Sequence, residues 1–160
     1  MEKIKSFKID HTRLKKGLYV SDVHDLMDGR PVTTFDIRMK EPYKEEPMST
    51  GGIHAIEHIG ATFLRSYRDD IIYFGPMGCR TGFYLIMESD EGLTPRDIWL
   101  DLMVMFIHIA DFEGPIPGAT MAECGNYTDM RLLNAKMYAK DYLQSVLWKG
   151  PTDENTKYPE

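Results

Sequence analysis

Only two cysteines, Cys79 and Cys124, occur in 160 residues. So few thiols exclude a disulfide-built scaffold, and in a reducing compartment they read as reactive or metal-binding groups. Long apolar runs are missing too. The longest stretch without Asp, Glu, Lys or Arg is Pro47 to Ile56, far short of the ~20 residues a membrane span needs. The start, Met1 to Asp10, has no apolar stretch behind its charges, so no secretory leader is read there and the cytoplasm is the expected location. An excess of basic residues is also lacking: Lys plus Arg number 19 against 25 Asp plus Glu, a net charge of −6. That balance speaks against nucleic acid or an anionic membrane as partner. No repeat, low-complexity tract or phosphate-binding loop is present.

What is there is ordinary for a globular chain, with 42% hydrophobic and 28% charged residues. The length suits one domain over residues 1–160, with a core from about 6 to 150. Lys40 to Ser49, charged and twice interrupted by Pro, reads as a surface loop, and Pro151 to Glu160 as a flexible end. Three helices are expected. The first follows Ser49-Thr50-Gly51-Gly52 and runs to about Tyr67, with Ile53, Ile56, Phe63 and Leu64 at helical spacing and Gly60 weakening it. The second opens at Thr94-Pro95-Arg96-Asp97, buries Ile98, Leu102, Met105, Phe106 and Ile109, and stops at Gly114-Pro115. The third starts near Thr128-Asp129 and ends at Lys149-Gly150-Pro151. Strands are expected at Phe7 to Asp10, Phe35 to Met39, Asp70 to Phe74 and Gly82 to Met87. With no clean βαβ alternation, this predicts an α+β fold, helices layered on one sheet.

The sharpest chemical feature is His54-Ala55-Ile56-Glu57-His58. On a helix the two histidines project from one face, so both can reach one metal ion, and Glu57 can serve as general base or as an acceptor behind the ligands. The plainer alternative is two histidines on a solvated face. A candidate third ligand is Cys124, expected just before the third helix, where the helix dipole favours a thiolate; alone, it would read as a small buried hydrophobe. Cys79 lies in Gly75-Pro76-Met77-Gly78-Cys79-Arg80-Thr81-Gly82. Glycines permit close backbone approach there, and Arg80 is read as the cation that favours a nucleophilic or proton-moving thiolate. His11 could orient a substrate. His24 is read as a surface residue and His108 as partly buried.

These blocks together resemble the S-ribosylhomocysteine lyase (LuxS) family. The residues that carry the resemblance are His54-Ala-Ile-Glu-His58, Gly75-Pro-Met-Gly-Cys79-Arg-Thr-Gly-Phe83, Cys124-Gly-Asn-Tyr127, Ser6-Phe7, Asp10-His11-Thr12 and Phe35-Asp36-Ile37-Arg38, in family order over roughly Ser6 to Gly150. The resemblance implies a sandwich of a mostly antiparallel sheet and helices, related to the processing peptidases. It implies that His54, His58 and Cys124 bind one divalent metal per subunit, Fe2+ with Zn2+ or Co2+ as substitutes. Cys79 and Glu57 would be the acid/base pair, and Ser6, His11, Arg38 and Arg65 would surround the substrate in active sites shared across a homodimer. Two positions depart from the family pattern: Tyr73 stands six residues before Cys79, where an acid is usual, and Met130 stands six beyond Cys124, where His is common.

The implied reaction moves a sugar carbonyl along the ribose chain of S-ribosylhomocysteine. It then expels homocysteine by β-elimination, leaving 4,5-dihydroxy-2,3-pentanedione, the precursor of autoinducer-2 used in quorum sensing. An enediolate's developing charge asks for a Lewis acid, and proton shuttling at neighbouring carbons asks for two bases. Two rivals use the same residues. An inverted-motif metallopeptidase would need a downstream carboxylate as third ligand; a structural metal staple would need a fourth protein ligand and a closed site.

Overall fold

The computed structural model describes Ile4 and residues 7–159. Four strands, β1 (Gly17–Asp25), β2 (Pro31–Arg38), β3 (Ile71–Pro76) and β4 (Gly82–Glu88), form one sheet in the order β1-β2-β4-β3. Every neighbouring pair is antiparallel. Helices α1 (Thr50–Arg65), α2 (Pro95–Asp111) and α3 (Leu132–Ser145) pack on one another and on the sheet, with α1 against β3. A short α4 (Asp153–Thr156) packs on β1. This is the expected α+β architecture with an antiparallel sheet.

The strand period of two sorts side chains between the two faces. Leu18, Ile37 and Phe83 lie side by side across three strands and, with Phe35 and Leu85, form the sheet's contribution to the core. Ile53, Ile56 and Ile59 from α1, Leu102, Met105 and Phe106 from α2, and Ala135, Ala139 and Tyr142 from α3 complete it. The opposite face is polar but not bare. Tyr19, Asp36 and Tyr84 are in register there, and Arg38 follows Asp36 with Gly17 and Gly82 as its flanking neighbours.

Local signals explain the helix starts. Ser49 Oγ accepts from the Gly52 amide at 3.2 Å, capping α1. The amide and hydroxyl of Thr94 both donate to Asp97 Oδ2, at 2.7 and 2.6 Å, which fixes the first turn of α2. Trp99 Nε1 donates to the Leu147 carbonyl at 3.0 Å, and the Tyr142 hydroxyl to that of Gly17 at 2.8 Å. Both satisfy buried polar atoms and tie the helices to each other and to β1.

Several expectations are corrected. Phe7 to Asp10 is not a strand; the Asp10 carboxylate takes the amide and hydroxyl of Thr12, closing a turn that competes with strand pairing. The first strand is β1, whose outer half Asp22–Asp25 is polar and so weakly patterned. Helix α3 begins at Leu132, because a separate 3-10 turn, Tyr127–Asp129, precedes it and Met130 is extended. It ends at Ser145, and another 3-10 turn covers Leu147–Lys149. The segment from Pro151 is ordered by α4 and by Tyr158, whose ring stacks on Tyr19 at 4.6 Å. His108 is exposed and stacks on Phe63 at 4.8 Å. The 40–49 loop is a loop as expected, yet Met48 is fully buried, and Lys40 pairs with Glu45 and Asp141.

Candidate active site

The His54/His58 pair sits one turn apart on α1, and the glycines at the helix start govern what approaches it. The Gly51 carbonyl accepts the Arg131 amide at 2.9 Å, and a Cβ on Gly51 would collide with the Asp129 carbonyl. Only a glycine lets the 3-10 turn dock this closely. That docking brings Asp129 Oδ2 to 3.7 Å from His54 Nδ1 and leaves His54 Nε2 free to face Cys124 Sγ at 3.4 Å. On the other side His58 Nδ1 donates to the Pro117 carbonyl at 2.8 Å. Gly118, at φ +67, sits so close that a Cβ there would lie 3.1 Å from that same nitrogen.

His54, His58 and Cys124 therefore offer three donor atoms within 4.8 Å of one another, all half-buried. Two imidazole nitrogens and a thiol sulfur suit a borderline divalent ion such as zinc, iron or cobalt. The remote nitrogen of His58 is held by the Pro117 carbonyl and that of His54 faces the Asp129 carboxylate at 3.7 Å, the kind of outer arrangement that orients metal-ligating histidines. The residues fit a metal. Cys124 reaches this position from a turn (Cys124 amide to the Thr120 carbonyl, 3.0 Å), not from a helix N-terminus as expected, since α3 starts eight residues later. A peptidase would need a carboxylate as third donor; the carboxylate nearby, Asp129, addresses the far nitrogen of His54 instead.

Glu57 lines a cavity of about 340 Å³ with His58, Arg65, Tyr73, Phe74 and Gly118. Arg65 is exposed and donates to the Ile72 carbonyl at 3.3 Å. Tyr73, the departure from the family pattern, thus faces the same space as Glu57 and Arg65. Met130, the second departure, is buried in the core.

Cys79 lies on the β3–β4 turn and lines a different cavity, about 360 Å³, with Tyr43, Glu46 and Thr81. Its exposed sulfur is 3.1 Å from Thr81 Oγ1 and 3.9 Å from Arg38 Nη1, which also donates to Thr81 Oγ1 at 2.5 Å. The cation at Cys79 is Arg38, not Arg80 as the sequence suggested: Arg80 adopts φ 59 and donates to the Met48 carbonyl at 3.3 Å. Arg38 is 3% exposed and Asp36 1%; Nη2 of the arginine donates to Asp36 Oδ2 at 2.6 Å. Burial works against the guanidinium charge, but the Asp36 carboxylate outweighs it and holds Arg38 above its ordinary range.

His11 occupies the N-terminal turn, its Nδ1 donating to the Ile9 carbonyl at 2.9 Å. Ser6 lies outside the described residues. Sequence reading missed Asp129, Pro117 and Thr81 as neighbours of the site. Only Thr81 had a local signal, two residues from Cys79 on the same strand approach. The largest of the described cavities, about 470 Å³, is lined by Lys15, Lys16, Glu45 and Glu154, whose charges are paired with one another. Among the described residues no helix is long and apolar enough to cross a membrane.

The S-ribosylhomocysteinase (LuxS) family model matches residues 4–152. S-ribosylhomocysteine lyase of Desulfotalea psychrophila is 49% identical, covering 99% of both chains. The proteins of the same name from Finegoldia magna and Clostridium acetobutylicum are each 47% identical over the full length of both chains. With a family model across nearly its whole length and full-length relatives close to half identical, the chain belongs to the S-ribosylhomocysteinase (LuxS) family.

Proposed function

We propose that the protein is a metal-dependent carbon–sulfur lyase that cleaves S-ribosylhomocysteine to homocysteine and 4,5-dihydroxy-2,3-pentanedione, the autoinducer-2 precursor, in the cytoplasm. The observation that carries this reading is the convergence of His54, His58 and Cys124 from two distant segments, in a chain of this family. They would hold one divalent ion, Fe2+ or its substitutes Zn2+ and Co2+. When bound, that ion supplies Lewis acidity toward a sugar carbonyl.

The chain's own groups do the rest. Glu57 opens onto the cavity beside His58, and we assign it to take a proton from one sugar carbon and return it to the next, so that the carbonyl migrates. Cys79, with Thr81 and Arg38 around its sulfur, is assigned the second proton-transfer role. Removal of the proton beside the final carbonyl breaks the carbon–sulfur bond, and the homocysteine sulfur leaves with the electron pair and takes up a proton. Arg65 borders the Glu57 cavity and suits a substrate contact; Ser6, His11 and Arg38 are assigned the others.

Glu57 and Cys79 line separate cavities of one protomer. A homodimer that shares its active sites would bring both to one substrate, and we assign that assembly. The activity test is anaerobic incubation of metal-loaded protein with S-ribosylhomocysteine. Free thiol appearing in step with substrate loss, abolished by chelation, supports the assignment; no thiol from fully loaded protein refutes it.

A further inference from the structure

The polar face of the sheet carries a buried arrangement behind Arg38, formed by Asp36 and Tyr158, to which the proposed reaction assigns no role. Asp36 and Arg38 are both all but sealed from water, yet their pairing is not the two-pronged kind. Asp36 Oδ2 alone receives Arg38 Nη2, while Asp36 Oδ1 and Arg38 Nε are buried without partners. The guanidinium is therefore fixed at two points only, Asp36 Oδ2 through Nη2 and Thr81 Oγ1 through Nη1, so its aim depends on where that one carboxylate oxygen sits. That oxygen is held in turn by Tyr158, whose hydroxyl donates to the same Asp36 Oδ2 at 2.9 Å.

Tyr158 is itself held from several sides. Its ring lies flat on Tyr19, with 12° between the planes, and the Tyr19 hydroxyl donates to the Lys15 carbonyl at 3.1 Å. The strap that delivers it is anchored by the Lys15–Glu154 ion pair and by Asn155, which donates to the Gly150 carbonyl at 3.0 Å. Gly17 lets Asn155 approach, because a Cβ there would strike the Asn155 carbonyl oxygen. Burial, and then the Asp36 charge, push the Tyr158 phenol well above its usual range.

We propose that Tyr158 is a positioning residue for Cys79. The chain of contacts is continuous: Tyr158 hydroxyl to Asp36 Oδ2, Asp36 to Arg38 Nη2, and Arg38 Nη1 to Thr81 Oγ1 and the Cys79 sulfur. Tyr158 touches neither the sulfur nor the metal ligands. It fixes the carboxylate that aims the Arg38 charge, and the assignment rests on the proposed reaction only for the use made of Cys79.

The test compares Tyr158→Phe, which keeps the stack and loses the hydroxyl, with Tyr158→Ala, which loses both. Iodoacetamide labelling of metal-loaded protein, resolved peptide by peptide, reads Cys79 and Cys124 separately and needs no turnover. The expectation for Tyr158→Phe is a Cys79 labelling rate changed about three- to tenfold, the typical net effect of one hydrogen bond. Cys124 labelling, metal content and melting temperature should stay near wild type, kcat should fall by a similar factor, and KM should move little. Tyr158→Ala should go further in the same direction. Cys79 labelling in Tyr158→Phe within twofold of wild type overturns the proposal, as does a parallel change at both cysteines, which would mean general loosening. If Tyr158→Phe is unstable, Asp36→Asn applies the same readout to the next link. Wild-type protein without lyase activity would sink the proposed function and leave the labelling result standing.

Discussion

Cys124 Sγ stands 3.4 Å from His54 Nε2 across seventy residues of sequence, while the other nitrogen of the same ring faces Asp129 Oδ2 at 3.7 Å. The imidazole thus faces a carboxylate on one side and presents its other nitrogen to the thiol, before any ion is considered. His58 is held more firmly, its Nδ1 donating to the Pro117 carbonyl at 2.8 Å. The site is built as two oriented histidines and a thiol, with Glu57 alongside.

The two cysteines should separate cleanly by function. Cys124→Ala removes one of three donors and should lower bound metal well below one per chain. Cys79→Ala should keep its metal and lose about 10²–10⁴-fold in turnover, the usual contribution of a positioned proton-transfer group. Metal analysis and kcat on both variants check this. Loss of metal from Cys79→Ala with Cys124→Ala fully loaded would reverse the two roles.

Gly118→Ala tests the support behind His58. A Cβ 3.1 Å from Nδ1, on backbone at φ +67, must push the ring or the 117–118 turn aside. Metal affinity should fall by about 10–100-fold, the range seen when the groups behind metal ligands are disturbed. A competition titration against a chromophoric chelator measures it, and unchanged affinity would contradict this view of the site.

Gly60→Ala sets helix propensity against packing. Alanine should favour α1 by about 1 kcal/mol. Its Cβ would, however, lie 2.7 Å from Phe74 Cε1 and 3.1 Å from Met105 Sδ, both side chains in the core. Overpacking typically costs ~1–3 kcal/mol, so packing wins and the melting temperature should drop. A rise would show that the core yields.

Arg68 joins Asp70 and Asp101, each at 2.5 Å, and its hydrogen bonds are the main reason the Asp70 carboxyl sits below its ordinary 3.8. A depressed folded-state value stabilises the protein above 3.8, and the stabilisation is lost as the pH falls through the lower folded value. Melting curves of wild type and Asp70→Asn should therefore differ at pH 7 and converge below pH 3.8. A gap that stays constant with pH would show that Asp70 acts through packing instead of charge.

Helices α1 and α2 were legible because their caps and apolar stripes are local: Ser49 with its glycines, Thr94 with Asp97. The triad was legible in part, since His54 and His58 share one turn and Cys124 required only a candidate list. Strand β1 was not, because its register comes from β2 and its outer half carries Ser21, Asp22, His24 and Asp25. Nor was the identity of the cation at Cys79. Arg80 is adjacent in sequence but turned away at positive φ, while Arg38 arrives through strand pairing with Gly82. The end beyond Pro151 reads as a tail until Tyr158 is seen on Tyr19 and Asp36. In each case the deciding contact is long-range, and composition carries no trace of it.

Cobalt-substituted protein reads out whether His54, His58 and Cys124 hold a metal with a position left for the substrate. The visible absorption spectrum should show a thiolate-to-cobalt charge-transfer band that disappears in Cys124→Ala, persists in Cys79→Ala, and shifts when S-ribosylhomocysteine is added anaerobically. A band unchanged by Cys124→Ala, or a spectrum indifferent to the substrate, would contradict the account.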